Sequence, residues 1–440
     1  MLKAGFAKVD VTPPLGSPVA GYYRERYADG ILDPIELVAV AVNDGENTAV
    51  IISADFLGMW EKWATEIRNL IGERCGIPAE HVYIACLHQH TSVRIGKNPH
   101  LYNEFSYGDF VDSTYYDVLY RKFADVAQMA IADMCDAEMS VAQKKTAEEL
   151  SFIRRFKMKN GETKTNPKRS DVDKIEGPLG EADNTVRLVR FKREGAKDIA
   201  LVNFSTHPDV IGGNKFTADW PGFVRKLTEQ DIPDTNCILI NGAQGDTNHV
   251  NRFVPPTTLT GYEFSKHMAR VITDVVVEIW DKTEDREGSK VTGQVQMKYI
   301  PTNTSRMDEV EECRKLKKAH AEGADVLHSM AERADVFRVA NLLNQSLFQK
   351  VMVSMIGIGD VALVGFGGEP FTQYAADARV AAPDKFVICS CCTNGYAGYF
   401  PTKEAFSQGG YEGKTTNFTV GLADTLNQTV KEMLDNHRTK

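Results

Sequence analysis

Short apolar runs recur along the chain, and each stops abruptly at a polar, turn-forming stretch. Residues 82–87 run into His88-Gln89-His90-Thr91-Ser92, and residues 199–204 into Ser205-Thr206-His207-Pro208. Residues 237–242 run into Ala243-Gln244-Gly245-Asp246-Thr247-Asn248-His249. Near the end, 361–366 exits through Gly367-Gly368-Glu369-Pro370, and 385–392 through Thr393-Asn394-Gly395 towards Tyr399. Unbroken apolar runs of this length predict strands covered on both faces. Residues 35–42 and 48–55 flank Asn43-Asp44-Gly45-Glu46-Asn47, a turn composition that predicts a hairpin. A second hairpin is expected at Gly359-Asp360, between 350–358 and 361–366.

Between the strands the period changes to that of helices. Helices are expected over 60–75, with Gly76 as the C-cap, over 109–134, over 261–280, after Pro370 and from about 419. Residues 303–348 are helical in pattern but rich in Glu, Lys, Arg and Ala, the composition of a solvated face. That segment is expected to be a lid, an outer layer or a contact in a homo-oligomer, with no chemistry of its own. With no repeat and no low-complexity linker, the pattern predicts one α/β domain over 1–440, a mixed sheet flanked by helices with the active site at strand ends.

Composition narrows the partners. The chain has 440 residues, 25% of them charged, and a formal net charge of −9. That leaves no basic excess for nucleic acid or an anionic membrane surface. No apolar stretch reaches the length of a membrane anchor, and the N-terminus enters a strand pattern at once, so a cytoplasmic location is expected. The cysteines at 75, 86, 135, 237, 313, 389, 391 and 392 form no spaced framework and read as reduced, mostly buried thiols.

The polar residues at strand exits are His88, His90, His207, Asp246, Glu369, Tyr399 and Tyr411. Imidazole and carboxylate suit zinc, and an open coordination position makes a bound water acidic. If the strand continues through Gln89, His88 and His90 point to the same side. Spacing alone leaves two readings open: a metal site, or a set of loop and capping residues.

Six motifs, in order, resemble the catalytic domain of the neutral (non-lysosomal) ceramidases. They are Gly5-Phe6-Ala7-Lys8-Val9-Asp10-Val11-Thr12-Pro13, His88-Gln89-His90-Thr91-Ser92, Asn203-Phe204-Ser205-Thr206-His207-Pro208, Asn241-Gly242-Ala243-Gln244-Gly245-Asp246, Gly368-Glu369-Pro370-Phe371-Thr372, and Tyr399-Phe400-Pro401-Thr402 with Tyr411-Glu412-Gly413. The resemblance implies one zinc held by His88, His207, Glu369 and Tyr399, with a second ion such as magnesium or calcium left open. It implies that His90, Tyr411 and an arginine, Arg154 ahead of Arg155, line the reaction centre, with Asp246 or His90 managing protons. Asn248, Thr247 and Asn394 are expected to face the substrate.

The sequence also departs from that family. Asn248 stands where the family carries a serine that serves amide cleavage, and an amide side chain cannot replace a hydroxyl nucleophile. The family's His-Thr-His-Ser-Gly-Pro becomes His88-Gln89-His90-Thr91-Ser92-Val93, and 440 residues leave no room for the family's C-terminal β-sandwich domain. The reading is therefore a zinc-dependent hydrolase of an amide or related bond in a small soluble substrate. True ceramidase activity and a non-catalytic metal- or metabolite-binding relative are the alternatives.

Overall fold

The computed structural model describes all residues except 23–25, 97–112, 256–260, 287 and 439–440. The first third contains β1 (Lys3–Asp10), β2 (Glu36–Asn43), β3 (Thr48–Ala54), α1 (Glu61–Cys75), β4 (Val82–Cys86) and α2 (Ser113–Ala132). The middle contains β5 (Cys135–Lys145), β6 (Thr185–Arg193), β7 (Asp198–Phe204), α3 (Asp219–Asp231), β8 (Thr235–Asn241) and α4 (Gly261–Ile279). The last third contains β9 (Val291–Pro301), α5 (Val310–Ala321), α6 (Met330–Ala340), β10 (Phe348–Ile358), β11 (Val361–Phe366), α7 (Thr372–Ala381), β12 (Phe386–Ser390), α8 (Lys403–Gln408), α9 (Gly410–Thr415) and α10 (Gly421–Arg438). The start of the helix expected over 109–134 lies outside the described residues. Among the described residues no helix is long and apolar enough to cross a membrane.

Two mixed sheets stack face to face. The larger runs β8-β7-β6-β5-β1-β2-β3-β4, with Glu284–Asp285 added beside β5, and the smaller runs β9-β10-β11-β12. Alternation along β2 shows how the layers are built. Val38, Val40 and Val42 pack between the sheets with Ile356, Ile358 and Leu363. Leu37, Ala39 and Ala41 face the opposite way, onto Ile67 and Ile71 of α1 and Phe123 and Ala127 of α2. Helices α3 and α4 cover the rest of that outer face through Val224, Met268, Ile272 and Val276. Helices α7 and α10 cover the back of the smaller sheet through Tyr374, Ala378, Leu426 and Met433. The result is four layers, helix–sheet–sheet–helix, which is why the strands are apolar on both faces. Each buried Val, Leu or Ile contributes roughly 1.5–3 kcal/mol, so a one-residue slip of β2 would misplace three valines at once.

Local chemistry fixes the turns. Asn43 Oδ1 accepts from the Gly45 amide at 2.8 Å, Asp44 Oδ1 accepts from the Glu46 and Asn47 amides at 2.8 and 2.6 Å, and Gly45 adopts φ +100°. Gly76 closes α1 in the left-handed conformation, donating its amide to Gly72. Gly5 matters by its size: a Cβ there would sit 2.0 Å from the Ala130 carbonyl of α2.

Within the two large sheets, the parallel pairs among the described residues are β3 with β4, β7 with β8, and β11 with β12. The exits of β4, β8 and β12 are tied together, since Asn241 Nδ2 donates to Leu87 O at 3.0 Å and the Cys391 amide donates to Asn241 O at 3.2 Å. The polar runs noted in the sequence therefore meet at one place, at the carboxyl ends of the parallel strands.

The expected extension of β4 through Gln89 does not occur. The strand ends at Cys86, and His88 adopts φ +75°. The chain turns because the Leu87 and His88 amides donate to Ala54 O and Phe56 O, both at 2.9 Å, on the chain leaving β3.

Candidate metal centre and active site

The His88–Ser92 segment is pinned by the residues between and after its two imidazoles. Gln89 Nε2 donates to Asp55 Oδ1 at 3.0 Å, Thr91 Oγ1 to Thr217 O at 3.0 Å, and Ser92 Oγ to Asp55 O at 2.6 Å. Asp55 is itself clamped by Arg225, at 2.8 and 2.6 Å to its two oxygens. A fully buried bidentate pair thus anchors the turn that aims both histidines.

His88, His90 and His207 form a buried group whose ring nitrogens lie within 4.8 Å of one another, a spacing that could hold a metal ion. Glu369 joins two of them: its Oε2 is 3.3 Å from His88 Nε2 and 3.8 Å from His207 Nε2. The far nitrogens are tethered, His88 Nδ1 to Leu57 O at 2.7 Å and His207 Nδ1 to Gln244 O at 3.3 Å. That is the arrangement metal-ligating histidines adopt, with the outer N–H given to a carbonyl and the inner lone pair facing the ion. Neither ring nitrogen of His90 has a hydrogen-bond partner, and Asp209 Oδ1 stands 3.8 Å from its Nδ1. Gly21 presses on that ring so closely that a Cβ there would lie 2.7 Å from it.

Electrostatics suit this division. Burial, and then the charge of His88, lowers His90 well below the usual imidazole range, and burial followed by Arg154 does the same to His207. Burial pushes the Glu369 carboxyl up, but the charge and hydrogen bond of His88, with Arg154 and the Tyr396 hydroxyl, hold it down at about 2. His90 and His207 are thereby held neutral and Glu369 ionised, the protonation states that ligation needs.

Tyr399 and Glu369 are paired across a two-residue parallel ladder, which sets the tyrosine beside the carboxylate. Burial, and then the Glu369 charge, raises Tyr399, while the Arg154 guanidinium, 5.3 Å from the ring centre, hydrogen-bonds its hydroxyl and opposes that rise. Tyr411 meets Tyr399 edge to face at 5.5 Å. Arg154 rather than Arg155 reaches this group. Arg155 donates instead to Gly409 O at 2.9 Å. Glu412, fully buried, takes Arg154 Nε at 2.7 Å and lies 3.5 Å from Arg155 Nε.

Four residues expected at the site are engaged elsewhere. Asp246 accepts from the Thr372 amide at 2.9 Å and the Thr372 hydroxyl at 3.2 Å, so it fastens the first turn of α7. Its carboxyl is raised to about 6 by burial, which the Thr372 amide and Arg155 oppose. Thr247 Oγ1 turns back to Gln244 O at 3.3 Å. Asn248 donates to Asn166 Oδ1 at 2.7 Å and accepts from the Val250 amide at 3.0 Å. Asn394 bonds the Ile84 amide at 2.9 Å, Val82 O at 3.1 Å and Ser354 Oγ at 2.9 Å, locking β4 against β10 and the β12 exit.

Sequence reasoning missed Tyr396. Its hydroxyl donates to Glu369 Oε1 at 2.8 Å, and its ring stacks on His88 at 5.8 Å. The Gly/Tyr-rich loop signalled an aromatic contribution, but spacing could not say which tyrosine meets the carboxylate.

These groups open into a cavity of about 1180 Å³, floored by His88, His90, Glu369, Tyr396, Tyr399 and Tyr411. Its walls mix Trp60, Trp63, Phe348 and Met352 with Arg94, Arg338, Asn341, Asn344, Gln345 and Asn417. The segment 303–348 is thus a wall of the site. Its helices α5 and α6 pair through their own small core around Cys313, Val336 and Phe337, and α6 packs on α9, the helix that carries Tyr411.

No family model and no curated protein matches the chain. Comparison with solved structures finds the same fold in neutral ceramidase from Pseudomonas aeruginosa, with 15% sequence identity and a TM-score of 0.74 over 100% of this chain and 74% of that one. A second ceramidase structure, in complex with C2, matches at 13% identity and a TM-score of 0.72, over 100% of this chain and 75% of that one. The chain therefore has the neutral ceramidase fold, and its three buried histidines lie together at the carboxyl ends of the parallel strands.

Proposed function

We propose that the chain is a zinc-dependent hydrolase that cleaves an amide or closely related bond in a small soluble molecule. One observation carries this reading: His88 Nε2 and His207 Nε2 both face Glu369 Oε2, while their outer nitrogens are tied to backbone carbonyls. Imidazole nitrogen and carboxylate oxygen are zinc's usual donors, with Tyr399 beside them as the fourth. Zinc bound there polarises a carbonyl and acidifies water.

The chain's own residues supply the rest. His90, neutral and with both ring nitrogens unbonded, takes a proton at the ring from the attacking water and returns it to the leaving nitrogen. Arg154 is kept protonated by Tyr399, Glu412 and Glu369 despite burial, and with the Tyr411 hydroxyl it stabilises the developing oxyanion. Such a donor is worth on the order of 3 kcal/mol in the transition state. No nucleophilic hydroxyl is required, which agrees with Asn248 at the family's serine position and with its bonds to Asn166 and Val250. The test is metal content followed by hydrolysis of a panel of small N-acyl compounds. Stoichiometric zinc with turnover abolished by chelation is expected, and metal-free protein with unchanged turnover contradicts the reading.

True ceramidase activity is the second reading, favoured by the fold shared with two ceramidase structures. It predicts turnover of long-chain N-acylsphingosine in detergent. The amide and guanidinium side chains of the cavity wall weigh against it, because a lipid chain leaves them without partners.

A further inference from the structure

Arg338 is a cavity-lining cation with no carboxylate in direct contact among the described residues, though Asp335 and Glu309 act on it at longer range. It lies on α6 with 7% of its surface exposed, and it lines the cavity. Its guanidinium makes one long contact, Nη1 to Asn303 O at 3.4 Å, and its Nε has no partner. Among the described residues no carboxylate comes within 4 Å of it. Asp335, one turn away on the same helix, is given to Arg306, and so is Glu309. Other buried arginines are better satisfied: Arg225, Arg154 and Arg187 meet Asp55, Glu412 and Asp183, and Arg68 and Arg26 donate to several backbone carbonyls. A buried guanidinium with unused donors costs stability unless something binds it.

The surroundings say what that something is. The only acidic residues described on the cavity wall are Glu61, which meets Lys350 at 3.7 Å, and Glu369, which belongs to the histidine group. Asn344 follows Arg338 along the same wall and adds an amide, next to Gln345, whose own amide is held by Asn417. In a chain of net charge −9 the cavity is a local reversal of sign, which favours a complementary anion.

We propose that Arg338 binds a carboxylate of the substrate, so that the molecule cleaved is a small amide carrying an anionic group away from its scissile bond. The planar guanidinium suits a carboxylate bidentately, and the indoles of Trp60 and Trp63 suit an apolar or aromatic body between the two ends. The assignment of the scissile end rests on the hydrolase reading above; the anion site stands on the cavity alone.

The experiment measures binding rather than turnover. N-acetyl-L-phenylalanine and its neutral carboxamide are titrated by calorimetry into wild type, Arg338→Gln and Arg338→Lys, each with zinc added. The expected result is at least tenfold tighter binding of the carboxylate by wild type, less than twofold discrimination by Arg338→Gln, and partial recovery in Arg338→Lys. Melting temperatures are read on the same samples. Arg338→Gln is expected to melt no lower than wild type without ligand, and to lose the upward shift that the carboxylate gives wild type. Equal or undetectable binding of both probes by wild type, or a preference kept by Arg338→Gln, overturns the proposal. A carboxylate preference without hydrolysis of any amide leaves the anion site standing and removes the hydrolase reading instead.

Discussion

The Tyr396 hydroxyl donates to Glu369 Oε1 at 2.8 Å, while Glu369 Oε2 faces His88 Nε2 at 3.3 Å. One carboxylate oxygen is thus fixed by a phenol while the other faces the imidazole of His88. Partners of this outer kind typically contribute 10–100-fold to metal affinity. Tyr396→Phe is expected to weaken zinc binding by that factor, read by competition with a chromophoric chelator, and to leave the fold intact.

Glu412 holds two arginines at once. It is fully buried, with Arg154 Nε at 2.7 Å, Arg155 Nε at 3.5 Å and the Thr165 hydroxyl at 2.7 Å. Removing one partner of such a cluster leaves buried charge uncompensated and costs about 3–5 kcal/mol. Glu412→Ala is expected to lose stability of that order in urea unfolding, whereas Glu412→Gln, which keeps the shape and one acceptor, loses less.

Asn248 spends its side chain on Asn166 and the Val250 amide. Asn248→Ser is therefore expected to create no ceramidase: long-chain N-acylsphingosine turnover stays at the wild-type level. Asn248→Ala costs about 1 kcal/mol for the lost hydrogen bonds and changes kcat/KM on the best small amide by less than tenfold.

His249 sets part of the acid limit of stability. It is partly buried against Phe264, and burial lowers it to about 4, with Asp209 opposing and Arg252 assisting. Between pH 6.5 and 4 the unfolded chain binds a proton that the folded chain does not, so stability falls as pH falls through that window. The contribution lost is about 2 kcal/mol. His249→Leu is expected to lose correspondingly less between pH 7 and pH 4.5, read as the difference in urea midpoints for the two proteins.

The strands and the polar exits were legible because a sheet covered on both faces writes itself as unbroken apolar runs. The strands β4, β11 and β12 lie within predicted runs, and β7 and β8 begin one and two residues before theirs. The stacking of two sheets was not legible, since an apolar face does not say whether a helix or another sheet covers it. His88 and His90 do converge, at 5.1 Å between ring centres, but through a left-handed turn at His88 rather than through strand alternation. Asp246 and Asn394 show the other limit: a polar residue at a strand exit serves a helix start or a strand edge as readily as a substrate. Residues 303–348 read as a solvated face because the apolar positions that turn inward, Val310, Cys313, Val336 and Phe337 among them, are few beside the charged ones.

Zinc content by mass spectrometry on the purified variants separates the roles of the three histidines. His88→Ala, His207→Ala and Glu369→Ala are expected to lose stoichiometric zinc, while His90→Ala keeps one zinc per chain and loses turnover. A His90→Ala protein as empty of zinc as His207→Ala, beside a Glu369→Ala protein that keeps it, would mean that the three imidazoles alone hold the metal, and would contradict the account.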